Sequence, residues 1–423
     1  MIVDMASGTI TASVGDIHIR DGEIIGIGAS IAAPAAAERI DMTGMLITPG
    51  LVDTHWHMWN SLARGFAMSR LGPFAKTMAA LSKIWTPEAS GLSVRLATAE
   101  AVKSGITCVH NWSHNTKGTE FAEAELAAME ASGIRGRYSY GYPQALKPDE
   151  KMDFAALREF RAAHFPSGSK GLIHLGLCTR GPDRSDEQIW QEEWEVARDL
   201  AIPITTHIAS DRKAGLMGNI AKMASSGYLG PDVQLVHATH ATAEDFAKIA
   251  AAKSPVSISP WTELEVGYGV PPIAGMASAN LNIGLSVDNL VLAGNADMFT
   301  VMKLAADLAA GQSENQGAVP DDSIFGWATA GGASSLNLGH QVGVLKSGLR
   351  ADIIAVRMKD LNTVNAMSPA FLLTHAARPE NVDFVMIDGQ VHKQGGVLTR
   401  IDETDLKAEA GEMIDKLRRN AGL

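Results

Sequence analysis

The sequence predicts an α/β fold: a (β/α)8 TIM barrel with a small discontinuous β-sandwich domain assembled from both termini. Three observations carry this. Eight apolar, strand-like runs alternate with helical segments: Leu46 to His57, Ile106 to Trp112, Ile134 to Tyr140, Gly171 to Thr179, Ile202 to Ala209, Val233 to His240, Val256 to Trp261 and Asn282 to Asp288. So many βα repeats in so short a stretch suit a closed barrel better than an open sheet. No G-x-G-x-x-G follows the first run, which argues against a dinucleotide-binding fold. The two ends of the chain share short alternating runs and turn residues, a texture unlike the middle.

The elements follow in order. Gly15 to Arg20, then Asp21-Gly22, then Glu23 to Ile27 reads as a hairpin, because Asp-Gly suits the tight turn between twisted strands. That unit is too short to close a core alone. Strand-like runs return at Ala351 to Val356 and Val382 to Val391, so residues 1–48 and 341–423 are expected to form the small domain and 49–340 the barrel. Thr86-Pro87-Glu88 and Thr242-Ala243-Glu244-Asp245 carry a capping hydroxyl and acids in the first turn, which marks helix starts. Asp402 to Arg419 reads as a charged surface helix, and Ser61 to Trp85, rich in Met and Leu, as an insertion in the first βα unit that forms a lid or a surface for a second subunit.

Composition narrows the function. A chain of 423 residues with net charge -11 and no basic stripe is a poor partner for nucleic acid or an anionic membrane. No basic segment followed by an apolar run opens it, and no apolar stretch reaches the ~18 residues of a membrane span, so a cytoplasmic protein is expected. Cys108 and Cys178 lie in separate apolar runs and read as core residues rather than a disulfide.

Barrel active sites lie at the C-terminal ends of the strands. There the sequence places His55 and His57, His110 and His114, His207, His237 and His240, and Asp288. Residues i and i+2 of a strand share a face, so His55 and His57 converge. Imidazole and carboxylate form the donor set that Zn²⁺ prefers and Fe²⁺ or Mn²⁺ tolerates, and three or four donors with one open position make a catalytic site. His164, His174 and His340 read as ordinary hydrogen-bonded residues.

Val52-Asp53-Thr54-His55-Trp56-His57, Thr206-His207, Val236-His237-Ala238 and Ser286-Val287-Asp288 together resemble the amidohydrolase superfamily, in the branch of cytosine and guanine deaminases and triazine hydrolases. The likeness extends to Asn295-Ala296-Asp297-Met298-Phe299 and to Gly343 to Asp352. It implies that His55, His57 and His207 bind one divalent metal, zinc before iron or manganese. It also implies that Asp288 adds a carboxylate beside the metal and shuttles a proton, and that His237 hydrogen-bonds the attacked oxygen or serves as an extra ligand. No lysine stands at the end of strand four, in Cys178-Thr179-Arg180, which favours one metal over a lysine-bridged pair.

One position departs from the family pattern. Deaminases of this branch carry a glutamate three residues after the strand-five histidine; here it is Ser210, which donates a hydrogen bond but does not deliver a proton readily. Asp211, Glu263 and Glu265 are possible substitutes, each read singly as rim charge. Trp112 and His114 are expected to stack on and hydrogen-bond a substrate, with Trp59, Trp261, His240 and Ser210 completing the pocket. The aromatic wall suits a small cyclic or aromatic molecule. The expected activity is metal-dependent hydrolysis of a C–N bond, by deamination or by amide or lactam cleavage, in a homo-oligomeric enzyme. The alternatives are hydrolysis of an aryl halide or ester, decarboxylation on the same site, or an inactive binding barrel.

Overall fold

Eight parallel strands pair in chain order: β1 (Leu51–Trp56), β2 (Ile106–Ser113), β3 (Arg135–Tyr140), β4 (Ile173–Thr179), β5 (Ile204–Ile208), β6 (Val233–His237), β7 (Val256–Ile258) and β8 (Ile283–Leu285). They are seen in a computed structural model that describes residues 1–5 and 8–423. Side chains fill the barrel and helices cover its outside, so every residue of β1, β2, β5 and β6 is buried. That is why these strands read as near-continuous apolar runs. β3 is the exception, with Arg135 and Arg137 buried inside Arg-Gly-Arg-Tyr-Ser-Tyr.

The barrel closes between its last and first segments. Trp56 and Asp288 form an isolated parallel bridge. Below it the Thr54 hydroxyl lies 2.7 Å from the Ser257 hydroxyl and donates to the Leu285 carbonyl at 3.0 Å. β6, β7 and β8 are shorter than their apolar runs. In β6 and after β8 the cause is visible in the backbone: His237, Ala238 and Asp288 take φ of 73°, 50° and 63°, and a left-handed residue breaks a ladder.

Both termini supply one seven-stranded sheet, in the order Val397–Leu398, Gln390–Gln394, Val382–Ile387, Ile353–Arg357, Met45–Pro49, Ile2–Asp4, Thr11–Ser13. The expected hairpin pairs Asp16–Arg20 with Glu23–Gly28. Asp21 and Gly22 both have positive φ, as a primed turn requires. Its Ile17, Ile19 and Ile24 pack on Ile47, Ile353 and Phe384 of the sheet, making the second, smaller layer of the sandwich. Met45–Pro49 runs straight on into β1 through Gly50, where a Cβ would lie 2.0 Å from the Thr107 hydroxyl. The small sheet and the metal-motif strand are thus one continuous stretch of chain.

Arg135 pins the two units together. It meets both Asp352 oxygens at 2.8 and 3.0 Å, Asp388 at 2.7 Å and Gln341 at 3.0 Å. The C-terminal helix Glu403–Ala421 buries Leu406 and Leu417 against the molecule, with Glu403 and Glu409 paired to Lys103 and Arg95 of the helix Pro87–Lys103. The stretch expected as a lid is anchored instead. Met58–Ala63 is wholly buried, and Phe74–Ile84 buries Met78 and Leu81 in the main core. Among the described residues no helix is long and apolar enough to cross a membrane. Both cysteines are free and buried.

Removing Arg135 would leave Asp352 buried without its cation. Arg135→Ala should therefore lower unfolding free energy by roughly 3–5 kcal/mol in a denaturant titration, against ~1 kcal/mol or less for Arg350→Ala, whose side chain is 30% exposed.

Candidate metal centre and active site

β1 carries His55 and delivers His57 just past its end; β5 and β6 carry His207 and His237, and the turn after β8 carries Asp288. Adjacent strands are in register here, with His207 opposite Val236 and Ile208 opposite His237. Left-handed backbone at non-glycine positions costs about 1–3 kcal/mol each and survives where surroundings over-determine it. At Asp288 the surroundings are β1 itself: the His57 N–H donates to the Asp288 carbonyl at 2.6 Å, and the Asp288 N–H to the His55 carbonyl at 3.0 Å.

The donors converge. Asp288 Oδ1 lies 3.3 Å from His55 Nε2 and 3.3 Å from His57 Nε2, and His207 Nε2 lies 3.3 Å from His55 Nε2. The ligand atoms of His55, His57 and Asp288 fall within 4.8 Å of one another, as do those of His55, His207 and His237. Burial, reinforced by neighbouring positive groups, pushes the pKa of His57 and His207 well down. Burial also lowers His55, though Asp288 opposes the shift. Burial resists ionisation of Asp288, but the adjacent His55, with His237 next, outweighs it and holds the carboxyl below its ordinary range.

Neutral imidazole nitrogens therefore face one another around a buried carboxylate oxygen that has no hydrogen-bond partner. Lone pairs gathered this way need a cation, and the N₃O donor set fits a divalent metal.

Partners outside this cluster fix each ring. His57 Nδ1 lies 2.9 Å from His114 Nδ1, and the Trp59 indole N–H donates to the same His114 nitrogen at 3.1 Å. Burial, with Arg184 next, pushes His114 down to about 3, so its Nδ1 is free to accept and His57 Nε2 is left bare. Trp112 stacks on His207 at 4.2 Å between centroids and meets His55 edge-on at 4.6 Å. His237 Nδ1 donates at 3.0 Å to Glu263 Oε1, which also accepts the Ser259 N–H at 2.9 Å.

Several expectations need correction. Trp59 and Trp112 have no exposed surface, so they brace ligand rings instead of lining a pocket, and His114 orients His57 instead of meeting substrate. His240 donates to the Tyr268 carbonyl at 2.6 Å and holds the loop after β7. Trp261 is 39% exposed, on the short helix Pro260–Glu265. His110 is a core residue, bonded to the Thr54 carbonyl and the Ser139 hydroxyl. Glu263, read as rim charge, is fully buried. Its signal is Ser259-Pro260 at the end of β7: proline opens a helix whose first turn brings the acid back under the strand end. Asp211 and Glu265 are exposed, and Asp211 caps the helix Arg212–Leu216. Ser210 is buried beside β5, and Arg180 after β4 is spent on the carbonyls of Lys147 and Glu150.

Imidazoles and one carboxylate converging at the C-terminal mouth of a (β/α)8 barrel define the metal-dependent hydrolase class. The Amidohydrolase family model matches residues 46–392, and the chain belongs to that family. Hydrolysis of a C–N bond in a small molecule, the expected reaction class, agrees with that membership. The chain is similar to 5'-deoxyadenosine deaminase of Methanosarcina mazei, 26% identical over 95% of this chain and 93% of that one. It is also similar to 5-methylthioadenosine/S-adenosylhomocysteine deaminase of Teredinibacter turnerae, 27% identical over 90% and 87%. Among solved structures it resembles a zinc-bound adenosine deaminase of Xanthomonas campestris, with TM-score 0.86, 21% identity and coverage of 99% and 97%. The zinc complex of atrazine chlorohydrolase TrzN from Arthrobacter aurescens gives TM-score 0.84, 19% identity and coverage of 95% of each chain.

Loss of an outer-shell partner costs roughly 10–100-fold in metal affinity or activity. His114→Ala should fall in that range when metal content is titrated, and His55→Ala or Asp288→Asn should fall beyond it, all three with wild-type far-UV circular dichroism.

Proposed function

We propose that the protein is a single-metal hydrolase, with zinc as the resident ion, that cleaves a C–N bond in a small cyclic or aromatic molecule and releases ammonia or an amine. The observation that carries this is that Asp288 Oδ1 lies 3.3 Å from the Nε2 atoms of His55 and His57, while His207 Nε2 lies 3.3 Å from the same His55 nitrogen. A metal held there would supply Lewis-acid activation of water at neutral pH. Asp288, ionised and in contact with two of the histidines, accepts a proton from the attacking water and returns it to the departing nitrogen.

The residue missing at Ser210 has a counterpart in the His237–Glu263 pair. The Nδ1 contact to the Glu263 carboxylate fixes the His237 ring, so that Nε2 is the nitrogen turned to the attacked oxygen or a neighbouring ring nitrogen. Glu263 reaches substrate only through that ring. It is a positioning residue, and its second oxygen is buried without a partner. The deaminase relatives support removal of an amino group from a heterocycle. Serine at 210 favours a second reading, hydrolysis of an amide or lactam, where Asp288 alone completes the proton transfer.

Metal-loaded protein tested on amino-azines, cyclic ureas, lactams and aryl amides should release ammonia or carboxylate from at least one class and lose that activity on chelation. No release from any of them by protein with bound metal would reject the proposal. Glu263→Gln should lower kcat by roughly 10²–10⁴-fold while metal content stays unchanged. An unaltered kcat would leave Asp288 as the proton carrier and select the amide or lactam reading.

A further inference from the structure

Tyr268 is placed beside the metal centre by contacts that the proposed chemistry does not use. The helix Pro260–Glu265 runs out into a left-handed glycine, Gly267 with φ of 80°, whose N–H donates to the Leu264 carbonyl at 3.1 Å, while the Tyr268 N–H donates to the Glu263 carbonyl at 3.0 Å. That pair of bonds is the Schellman closure of a helix, and it fixes the residue after the glycine. From the β6 side, His240 donates to the Tyr268 carbonyl at 2.6 Å. Gly269 follows with φ of 131°, and a Cβ there would stand 3.3 Å from His240 Nε2. The backbone of Tyr268 is thus held at both its N–H and its carbonyl. Its ring meets His237 edge-on, with 5.3 Å between centroids and 69° between planes. One short helix therefore serves His237 twice: Glu263 Oε1 lies 3.0 Å from Nδ1, and the residue that closes the helix sets a ring against the imidazole.

Exposure separates this ring from its neighbours. Among the described residues, the Trp and Tyr rings that pack on His55, His57, His114, His207 and His237 are Trp59, Trp112, Tyr142 and Tyr268. Trp59 and Trp112 are 0% exposed and Tyr142 6%, whereas Tyr268 is only half-buried. A ring that does no more than brace a histidine gains from full burial, as Trp59 and Trp112 do. Tyr268 touches the imidazole whose Nε2 is turned to the reacting atoms, is clamped there through its backbone, and still keeps accessible ring surface. An aromatic face of that kind prefers a planar unsaturated ring, which it meets by offset or edge-to-face packing.

We propose that Tyr268 is a substrate-contacting specificity residue: its open ring surface packs on the planar ring of the molecule bound beside His237, so that the site selects an aromatic ring over a saturated one of similar size. This rests on the reading of the site as a metal hydrolase, but a binding ratio tests it separately from turnover.

The metal-loaded holoenzyme is titrated calorimetrically with 2-naphthalenemethanol and with its saturated counterpart, decahydro-2-naphthalenemethanol. Both are neutral, and neither holds a C–N bond that the proposed reaction could consume. Each titration is repeated with Tyr268→Phe and Tyr268→Leu, after confirming that both keep wild-type metal content and far-UV circular dichroism; Tyr268→Met replaces Tyr268→Leu if the latter does not fold. We expect wild type to bind the aromatic alcohol roughly 2–10-fold tighter than the saturated one. Tyr268→Phe should keep that ratio, and Tyr268→Leu, apolar but not aromatic, should bring it to one. A ratio of one in wild type, a preference that survives Tyr268→Leu, or a preference lost in Tyr268→Phe, which would assign it to the hydroxyl, would overturn the proposal. If the preference depends on the Tyr268 ring while no C–N compound is hydrolysed, the contact stands and the hydrolase reading falls. If hydrolysis is intact and the ratio is one, only this inference falls.

Discussion

Two backbone hydrogen bonds at one seam govern the rest of the molecule. Where the chain leaves β8, Asp288 gives its N–H to the His55 carbonyl and takes the His57 N–H on its own. Those bonds close the barrel, and they also fix the carboxylate of Asp288 between two imidazoles that belong to the other side of the seam. Closure and donor convergence are the same event. The left-handed backbone at residue 288 is the strain that this arrangement holds in place.

The seam explains why so many buried polar groups surround it. Each histidine must present a chosen nitrogen, and a ring free to flip would not. His57 is set by His114 and Trp59, His237 by Glu263, and His55 and His207 by the rings of Trp112 and their neighbours. His114 accepts from His57 and Glu263 from His237, so each fixes the ring in front of it.

Much of this is legible in the amino-acid sequence alone. Apolar runs mark all eight strands, Asp21-Gly22 marks the hairpin, and the histidines at the ends of β1 and β5 and Asp288 lie together as strand-end logic requires. The features that escape a linear reading have a common cause. A sequence assigns Trp112, Trp59 and His240 to the mouth of the barrel but cannot rank them by depth; depth decides whether a ring meets substrate or braces a ligand. Glu263 escapes for the same reason. A charged residue after a strand is usually solvated, and only the helical turn begun by Pro260 folds this one inward. Tertiary packing likewise overrides the lid expectation, since Met78 and Leu81 join the main core.

The central claim is that three imidazoles and one carboxylate hold one metal at the seam. X-ray absorption fine structure at the edge of the bound metal, on protein purified without chelator, tests it most directly. The spectrum should show imidazole multiple scattering with a nitrogen and oxygen shell near the ~2.0–2.1 Å of zinc–histidine bonds. A sulfur shell, a shell without imidazole, or folded protein that binds no metal would contradict it.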